Sequence, residues 1–175
     1  MPEPIDVGID GVLLFELATH PDHRGSFTED YRREWIPGGR EMVQGNVSFS
    51  KANVLRGLHF HRAQADWWTY YMGSAVVDLR VGSPSQGRGL GLRIDTAEGF
   101  KSLYIPRGVA HGFYAEQEVI LHYMVDNYHT GADEFGIMWD DPGLGIDWPS
   151  RDPTLSDRDR SNPGLAEVLE DAPMF

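Results

Sequence analysis

Apolar residues occur along this chain in short runs of strand length, separated by glycine and proline. In the segment 75–81 the odd positions are apolar, while Asp78 and Arg80 occupy even positions. This period of two predicts a strand with one buried face. The other predicted strands are 11–17, 42–50, 54–61, 67–72, 89–94, 102–105, 112–115, 119–125 and 136–139. Many short strands with few helices predict an all-β fold, either a sandwich or a barrel.

Two short helices are predicted beside these strands. The segment 28–35 carries acidic residues first and arginines later, which matches the helix dipole. Near the carboxyl end, Asn162 is placed to cap a helix that has Pro163 at its first position and runs through Leu169. Because the chain shows no internal repeat and no low-complexity linker, we expect residues 1–175 to form one domain.

The charge balance narrows the classes of partner. The 175 residues include 15 Lys and Arg against 27 Asp and Glu, a formal charge of −12. Such a chain does not attract nucleic acid polymers, so an anionic ligand must meet a local arginine cluster. The absence of cysteine excludes disulfides, thiolate zinc sites and cysteine nucleophiles. The acidic amino terminus lacks the pattern of a signal peptide, and no segment has the ~20 apolar residues of a membrane span, so a cytoplasmic protein is expected.

Histidines give the first indication of chemistry. His59 and His61 are two positions apart on a predicted strand, so their side chains should project from the same face. Together with Asp66 and His111 they offer the nitrogen and oxygen ligands that hold zinc, iron, nickel or manganese. The same histidines could instead form hydrogen bonds inside a polar barrel mouth. Spacing alone leaves both interpretations open.

A series of motifs runs in order through nearly the whole chain. They are Asp22-His23-Arg24-Gly25, Gln44-Gly45-Asn46-Val47-Ser48, Leu55-Arg56-Gly57-Leu58-His59-Phe60, Ile105-Pro106-Arg107-Gly108-Val109-Ala110-His111-Gly112-Phe113, Tyr123, Tyr128, Glu134, Trp139-Asp140-Asp141-Pro142, Ile146-Asp147-Trp148-Pro149 and Leu155-Ser156-Asp157-Arg158-Asp159. Together they resemble the dTDP-4-dehydrorhamnose 3,5-epimerase family of sugar-nucleotide epimerases. The resemblance implies a cupin fold, which is a double-stranded β-helix or jelly roll. It further implies a homodimer that acts without a cofactor on a dTDP-linked 4-keto-6-deoxy sugar in deoxysugar biosynthesis.

The resemblance also assigns catalytic roles. His59 matches the base that removes a proton next to the ketone, and Asp159 matches the carboxylate that orients this histidine. Tyr123 matches the acid that returns a proton from the opposite face. Histidine suits the role because it titrates near neutral pH, and positioned acid–base catalysis is typically worth ~10²–10⁴-fold. Inversion of carbon 3, of carbon 5 or of both is compatible with these residues.

Further positions match the family's nucleotide and sugar site. The substrate-binding residues expected from the resemblance are Arg24, Glu29, Gln44, Asn46, Arg56, His111 and Tyr128. Arginine suits a diphosphate because its planar guanidinium can bind two oxygens at once. These arginines are the local basic cluster that an acidic protein needs for an anionic substrate.

Two residues depart from the family pattern in one short stretch. Asp66 stands where the family has a lysine near the enolate oxygen of the intermediate, and His61 stands where glutamine is common. An ionised carboxylate within ~4 Å of a developing enolate would cost roughly 4 kcal/mol at an effective dielectric constant near 20. Three compensations are open: Asp66 points away, Arg62 replaces the lysine, or a metal ion does so.

The metal interpretation leads to a second hypothesis for function. A divalent ion held by His59, His61, Asp66 and His111 would make the protein a metal-dependent cupin enzyme. A histidine that binds metal through its reacting nitrogen cannot also be the free base, so the two hypotheses compete for His59. A third hypothesis is a sugar-nucleotide binding module without catalytic activity.

Overall fold

The computed structural model describes residues 2–81 and 88–171, and most of its regular structure is β-strand. The strands are β1 (Ile5–Asp6), β2 (Leu13–Glu16), β3 (Thr19–Asp22), β4 (Gly25–Thr28), β5 (Gln44–Ser50), β6 (Leu55–Phe60), β7 (Asp66–Met72), β8 (Ser74–Val81), β9 (Arg88–Asp95), β10 (Lys101–Ile105), β11 (Ala110–Ala115), β12 (Val119–Val125) and β13 (Phe135–Gly136). The prediction of an all-β fold is confirmed. Each predicted strand overlaps an observed one, although the last, 136–139, shares only Gly136 with β13.

The helices are short and lie mainly near the carboxyl end. They are α1 (Asp157–Arg160) and α2 (Leu165–Asp171), with 3-10 turns at Arg33–Trp35 and Thr96–Glu98. The helix predicted over 28–35 is wrong for its first five residues, because Thr28 ends strand β4 and 29–32 have no regular structure; only Arg33–Trp35 forms a 3-10 turn. Helix α2 begins two residues later than predicted, and the Asp141 carboxylate accepts a hydrogen bond from the backbone N–H of Leu165 (2.9 Å). Within the described ranges, no helix has the length and apolar character needed to cross a bilayer.

Two antiparallel sheets form the body of the molecule. The larger sheet has the strand order β1-β2-β10-β7-β12-β5, and the smaller has the order β13-β6-β11-β8-β9. Strands β3 and β4 pair only with each other, as a hairpin outside both sheets. The consecutive strands β5, β6 and β7 alternate between the sheets, as do β10, β11 and β12, which is how a jelly roll closes.

The main core lies between the two sheets. Apolar side chains from β7 and β12 of the larger sheet pack with side chains from β8 and β11 of the smaller one. Tyr70 and Phe113, for example, meet edge to face with ring centroids 5.9 Å apart. Such a pair contributes roughly 0.5–1.5 kcal/mol beyond the burial of its apolar area. The core therefore joins the sheets and holds their facing strands in a fixed relation.

The smaller sheet is covered on its outer face as well. Leu55, Leu58 and Tyr114 pack there against the carboxyl-terminal segment that contains Trp148 and Leu165. This cover includes Val76 of β8, whereas Gly89, Gly91 and Arg93 on β9 are exposed. The buried face predicted for the segment 75–81 is confirmed at Ala75, Val77 and Leu79, but Asp78 on the other face is buried as well.

Asp78 lies opposite Gly91 and Gly112 of the two neighbouring strands. Its residue is only 2% exposed, and its carboxylate accepts a hydrogen bond from Arg80 Nε (2.5 Å). Burial raises the pKa of Asp78 to about 6, although the Arg80 guanidinium opposes this shift. The pairing with Arg80 compensates a carboxylate that the fold has removed from water.

Gly73 connects β7 to β8 in a position that only a residue without a side chain fits. Its φ is +91°, and an added Cβ would lie 2.0 Å from the carbonyl oxygen of Glu118. We expect Gly73→Ala to lower the free energy of unfolding by roughly 2–5 kcal/mol, the sum of the positive-φ cost and a steric clash. Urea denaturation measures this change. The control is Gly8→Ala, where φ is +82° but no atom lies within 4 Å of the added Cβ. Equal losses in the two variants would contradict the predicted clash.

Candidate active site

A cavity of about 370 Å³ opens between the two sheets. Strands β5, β7 and β12 of the larger sheet form one wall, and strands β6 and β11 of the smaller sheet form the other. The residues that line it are Gln44, Asn46, Ser48, Arg56, His59, His61, Gln64, Asp66, Trp68, His111, Phe113, Leu121, Tyr123, Val125, His129, Glu134 and Arg158. Polar and titratable groups from both sheets converge on this cavity. Such a concave, partly apolar site with converging polar groups is typical of a ligand-binding site.

The alternation of β5 explains how three polar residues reach the cavity. Gln44, Asn46 and Ser48 are separated by two positions and face inward, whereas Val47 and Phe49 face outward. Successive side chains of a strand point to opposite faces, so the polar set and the apolar set are separated by register alone. A slip of one residue would exchange them.

His59 and Asp159 form a direct hydrogen bond on the smaller sheet's side of the cavity. The distance from His59 Nε2 to Asp159 Oδ1 is 2.7 Å. Because an ionised carboxylate can only accept, Nε2 of the neutral ring carries the proton and Nδ1 keeps its lone pair. Asp159 itself is buried behind His59 and does not line the cavity. The pair therefore presents an imidazole whose tautomer is set by the protein.

Helix α1 positions the carboxylate of this pair. Ser156 caps the helix, and its hydroxyl oxygen accepts a hydrogen bond from the Asp159 backbone N–H (3.1 Å). Burial alone would raise the pKa of Asp159, but the hydrogen bond and charge of His59, together with the Ser156 hydroxyl, outweigh it. The resulting pKa lies below the ordinary value. Asp159 is thus ionised at neutral pH and can stabilise a positively charged His59.

Tyr123 lies on strand β12, in the wall opposite His59. Burial raises the pKa of Tyr123, and the negative charges of Asp66 and Glu134 raise it further, while Arg56 acts in the opposite direction. The phenol is therefore protonated at neutral pH. It can donate a proton into the cavity from the side that faces His59.

A second group of titratable residues lies deeper in the same cavity. His61, Asp66 and His111 are all buried, and their candidate ligand atoms lie within 4.8 Å of one another. His111 Nε2 is 3.8 Å from Asp66 Oδ2. Burial lowers the pKa of His111, with Asp66 opposing this effect. His59 is outside this group, because its Nε2 atom is bound to Asp159.

Two of the three ways in which the charge of Asp66 could be compensated are excluded by the structure. Asp66 lines the cavity and is buried, so it does not point away. The Arg62 guanidinium lies 4.4 Å from the centroid of the Phe135 ring and lines a different depression. Arg62 therefore does not take the place of the family's lysine in this cavity.

The expected substrate-binding residues divide into two groups. Gln44, Asn46, Arg56 and His111 line the cavity. The Arg56 guanidinium is held at its rim by hydrogen bonds from Nε to Ser50 Oγ (2.9 Å) and from Nη2 to the Phe49 carbonyl (3.2 Å). This arrangement holds a cation at the cavity, where it can bind an anionic group.

The remaining three residues lie away from the cavity of their own chain. Arg24 is 78% exposed on the β3–β4 hairpin, where it pairs with Asp22 (2.6 Å). Glu29 pairs with Arg32 (2.6 Å) at the surface, and Tyr128 is 66% exposed. Within a single chain, the positions of these three residues do not support a role in binding a ligand at this cavity.

Sequence reasoning did not select several residues that line the cavity. Among them, Glu134 forms an ion pair with Arg158 (2.5 Å), and its Oε1 atom lies 3.1 Å from His129 Nδ1. Glu134 and Arg158 belong to motifs that carried the family resemblance, so the signal was available for them. His129 lies in no such motif, and only the fold brings it to Glu134.

Comparison with known proteins identifies what the chain resembles. A model of the dTDP-4-dehydrorhamnose 3,5-epimerase family matches residues 6–167. A dTDP-4-dehydrorhamnose 3,5-epimerase of Salmonella typhimurium is 38% identical over 177 residues, which cover 94% of this chain and 96% of that protein. A dTDP-4-dehydrorhamnose 3-epimerase of Streptomyces niveus is 37% identical over 94% of this chain and 84% of that protein.

A solved structure gives the same result at the level of the fold. The dTDP-6-deoxy-D-glucose-3,5-epimerase of Legionella pneumophila superposes with a TM-score of 0.88 and 30% identity. The match covers 100% of this chain and 99% of that one. That protein was solved in complex with dTDP-4-keto-L-rhamnose. The jelly roll expected from the sequence is thus confirmed.

The lowered pKa of Asp159 predicts a specific pH dependence of stability. A depressed pKa contributes stability that is complete above the unfolded value of about 3.9 and is lost as the pH falls through the folded value. The difference in unfolding free energy between wild type and Asp159→Asn should therefore shrink as the pH is lowered from about 5 to 2. Urea denaturation at several pH values measures it. Asp157→Asn, an exposed position on the same helix, is the control and should follow wild type. A difference that is constant across this range would contradict the prediction.

Proposed function

The chain belongs to the dTDP-4-dehydrorhamnose 3,5-epimerase family, and from this premise we propose how its residues epimerise a dTDP-linked 4-keto-6-deoxy sugar. His59 is the base, Asp159 orients it, and Tyr123 is the acid. The supporting observation is the His59–Asp159 hydrogen bond on one wall of the cavity, with Tyr123 on the other wall. Inversion of a carbon centre requires removal and return of a proton on opposite faces, and this arrangement provides both.

The reaction begins with proton removal next to the ketone. His59 Nδ1 takes the proton from the carbon, the bonding electron pair moves into the adjacent carbonyl, and an enolate forms. The positive charge on the imidazolium is stabilised by Asp159, 2.7 Å from Nε2. A histidine can accept and release this proton near neutral pH because its unperturbed pKa lies close to it.

Inversion is completed from the other wall. The Tyr123 hydroxyl donates its proton to the opposite face of the carbon, the carbonyl re-forms, and the phenolate regains a proton from solvent. His59 releases its own proton to solvent, so all protons balance and no electrons are gained or lost. Because the reaction is not a redox reaction, we expect no redox cofactor.

The charges at the cavity are consistent with a nucleotide-sugar substrate. Arg56 is held at the rim by Ser50 and the Phe49 carbonyl, and Gln44 and Asn46 add hydrogen-bonding groups beside it. A guanidinium can bind two oxygens of a diphosphate at once. The dTDP-sugar bound by the Legionella pneumophila relative supports the same substrate class.

The exposed apolar face of the larger sheet supports a homodimer. Val47 is 69% exposed on the edge strand β5, and Phe49 and Met72 are also exposed on that outer face. Phe27, on the hairpin that carries Arg24, is likewise 69% exposed. A second copy of the chain on this face would cover the apolar residues. The same contact would bring the hairpin that carries Arg24, together with the adjoining Glu29, to the cavity of the partner chain. Neither residue reaches the cavity of its own chain.

Deuterium exchange tests the catalytic assignment. In D2O, wild type should introduce deuterium into a dTDP-4-keto-6-deoxy sugar, whereas His59→Ala should reduce the rate by about 10²-fold or more. Tyr123→Phe should retain exchange, because His59 can return a deuteron to the same face, but should suppress inversion. NMR of the sugar measures both. Tyr114→Phe is the control, since its hydroxyl bonds Asn53 outside the cavity. Full exchange by His59→Ala would contradict the assignment, and so would equal loss of exchange and inversion in Tyr123→Phe.

The homodimer is tested by a charge placed on the outer face of β5. We expect wild type to sediment as a dimer and Val47→Asp as a monomer, because the carboxylate would be buried in the interface without a partner. Ile5→Asp on β1, at the opposite edge of the same sheet, is the matched control and should remain dimeric. A monomeric wild type, or a Val47→Asp variant that sediments as wild type does, would contradict the proposal.

A further inference from the structure

We propose that His61, Asp66 and His111 hold a divalent first-row transition-metal ion in the wall of the cavity. The ion supplies the positive charge that is missing where Asp66 stands in place of the family's lysine, a role that rests on the proposed function. The structure brings these three residues together while leaving His59 with Asp159. Base and metal ligands are therefore different residues, so a metal site and a free base are compatible.

The three side chains are close enough to share one ion. Their candidate ligand atoms lie within 4.8 Å of one another, and His111 Nε2 is 3.8 Å from Asp66 Oδ2. Ligand atoms that each lie about 2.0–2.2 Å from one ion are separated from each other by about 3–3.5 Å. The required contraction is about an ångström and lies within the reach of side-chain rotation.

Hydrogen bonds on the far side of both rings set the tautomers that metal binding needs. His61 Nδ1 lies 2.6 Å from the Asp133 carbonyl oxygen, and His111 Nδ1 lies 2.9 Å from the Val109 carbonyl oxygen. A carbonyl oxygen only accepts, so each Nδ1 carries the proton. Each neutral ring therefore keeps a lone pair on Nε2. Metal-binding histidines characteristically donate their other ring N–H to a backbone carbonyl or carboxylate in this way.

Asp66 is oriented by two further donors. Gln64 Nε2 donates to Asp66 Oδ1 (2.9 Å), and Trp68 Nε1 donates to Asp66 Oδ2 (3.1 Å). These bonds leave other lone pairs of the carboxylate available. A buried carboxylate and two ring nitrogens with lone pairs form a set of acceptors without a cation of their own, and a metal ion would satisfy all three.

The nearby arginines are engaged elsewhere. The Arg62 guanidinium lies over the Phe135 ring, and Arg158 is paired with Glu134. Arg56 donates to Ser50 and to a backbone carbonyl on β5. None of these three donates a hydrogen bond to Asp66. The charge of Asp66 is thus available to a ligand of the cavity.

The ligand set indicates the class of ion and its effect. Two imidazoles with one carboxylate suit Fe²⁺, Mn²⁺, Co²⁺, Ni²⁺ or Zn²⁺, whereas Mg²⁺ and Ca²⁺ prefer oxygen ligands. When His59 removes a proton next to the ketone, negative charge develops on the carbonyl oxygen. A divalent ion at this wall would act there as a Lewis acid and would offset the charge of Asp66.

Metal binding is measured directly on the full chain after removal of metal with a chelator. Isothermal titration calorimetry with Zn²⁺ should show one ion per chain, and the visible absorption of added Co²⁺ should show histidine coordination. His61→Ala and Asp66→Ala should each weaken binding at least about 10-fold. His59→Ala and His129→Ala should bind as wild type does, since both residues line the cavity outside the cluster. Absence of Zn²⁺ binding by wild type, or binding by the His61→Ala and Asp66→Ala variants that is as tight as that of wild type, would overturn the proposed site.

Asp66→Lys tests the role of the ion separately from its binding. This variant should lose Zn²⁺ binding, and its deuterium exchange should respond neither to chelator nor to added metal, because the ammonium group takes the place of the ion. Wild type should lose exchange at least about 10-fold on chelation and regain it with added metal. Wild-type exchange that chelation leaves unchanged would overturn the catalytic role of the ion. A metal-loaded wild type that exchanges nothing would instead overturn the proposed function, while Zn²⁺ binding would still report on the site.

Discussion

The hydrogen bond between His59 and Asp159 is the interaction on which the active site depends. It joins strand β6 of the smaller sheet to helix α1, across one hundred positions of sequence. The carboxylate is buried, and it is ionised because the imidazole and the Ser156 hydroxyl compensate its loss of solvent. In return it sets which ring nitrogen carries the proton. Without that constraint the imidazole could present either nitrogen to the cavity, and a base of defined direction would be lost.

The two-sheet architecture suits the inversion that we propose. Strand β6 carries His59, the proposed base, and strand β12 carries Tyr123, the proposed acid. The buried core between the sheets, including the contact of Tyr70 with Phe113, holds the two walls of the cavity together. The packing of the core therefore sets the separation between the wall that carries His59 and the wall that carries Tyr123. The same walls hold the His61, Asp66 and His111 cluster in the cavity that His59 lines, so the proposed base and the proposed metal ligands are different residues.

Local pattern was sufficient to predict most strands, and ordered motifs were sufficient to identify the family. What could not be predicted depends on contacts distant in sequence. Asp78 has the period of an exposed face, yet it is buried opposite Gly91 and Gly112 of the neighbouring strands. Strands β3 and β4 are too polar to show a core-facing period, because they pair outside both sheets. The spacing of His59 and His61 predicted that they share one face. Only the fold shows that His59 contacts Asp159 whereas His61 contacts the Asp133 carbonyl.

Nitrogen-15 NMR of the histidine side chains tests the central claim most directly. At neutral pH the account predicts that His59 has a proton on Nε2, hydrogen-bonded to Asp159, and none on Nδ1. It also predicts that added Zn²⁺ shifts the Nε2 resonances of His61 and His111 and leaves those of His59 nearly unchanged. A His59 protonated on Nδ1 in the absence of metal, or a His59 nitrogen that takes up the ion, would contradict the account.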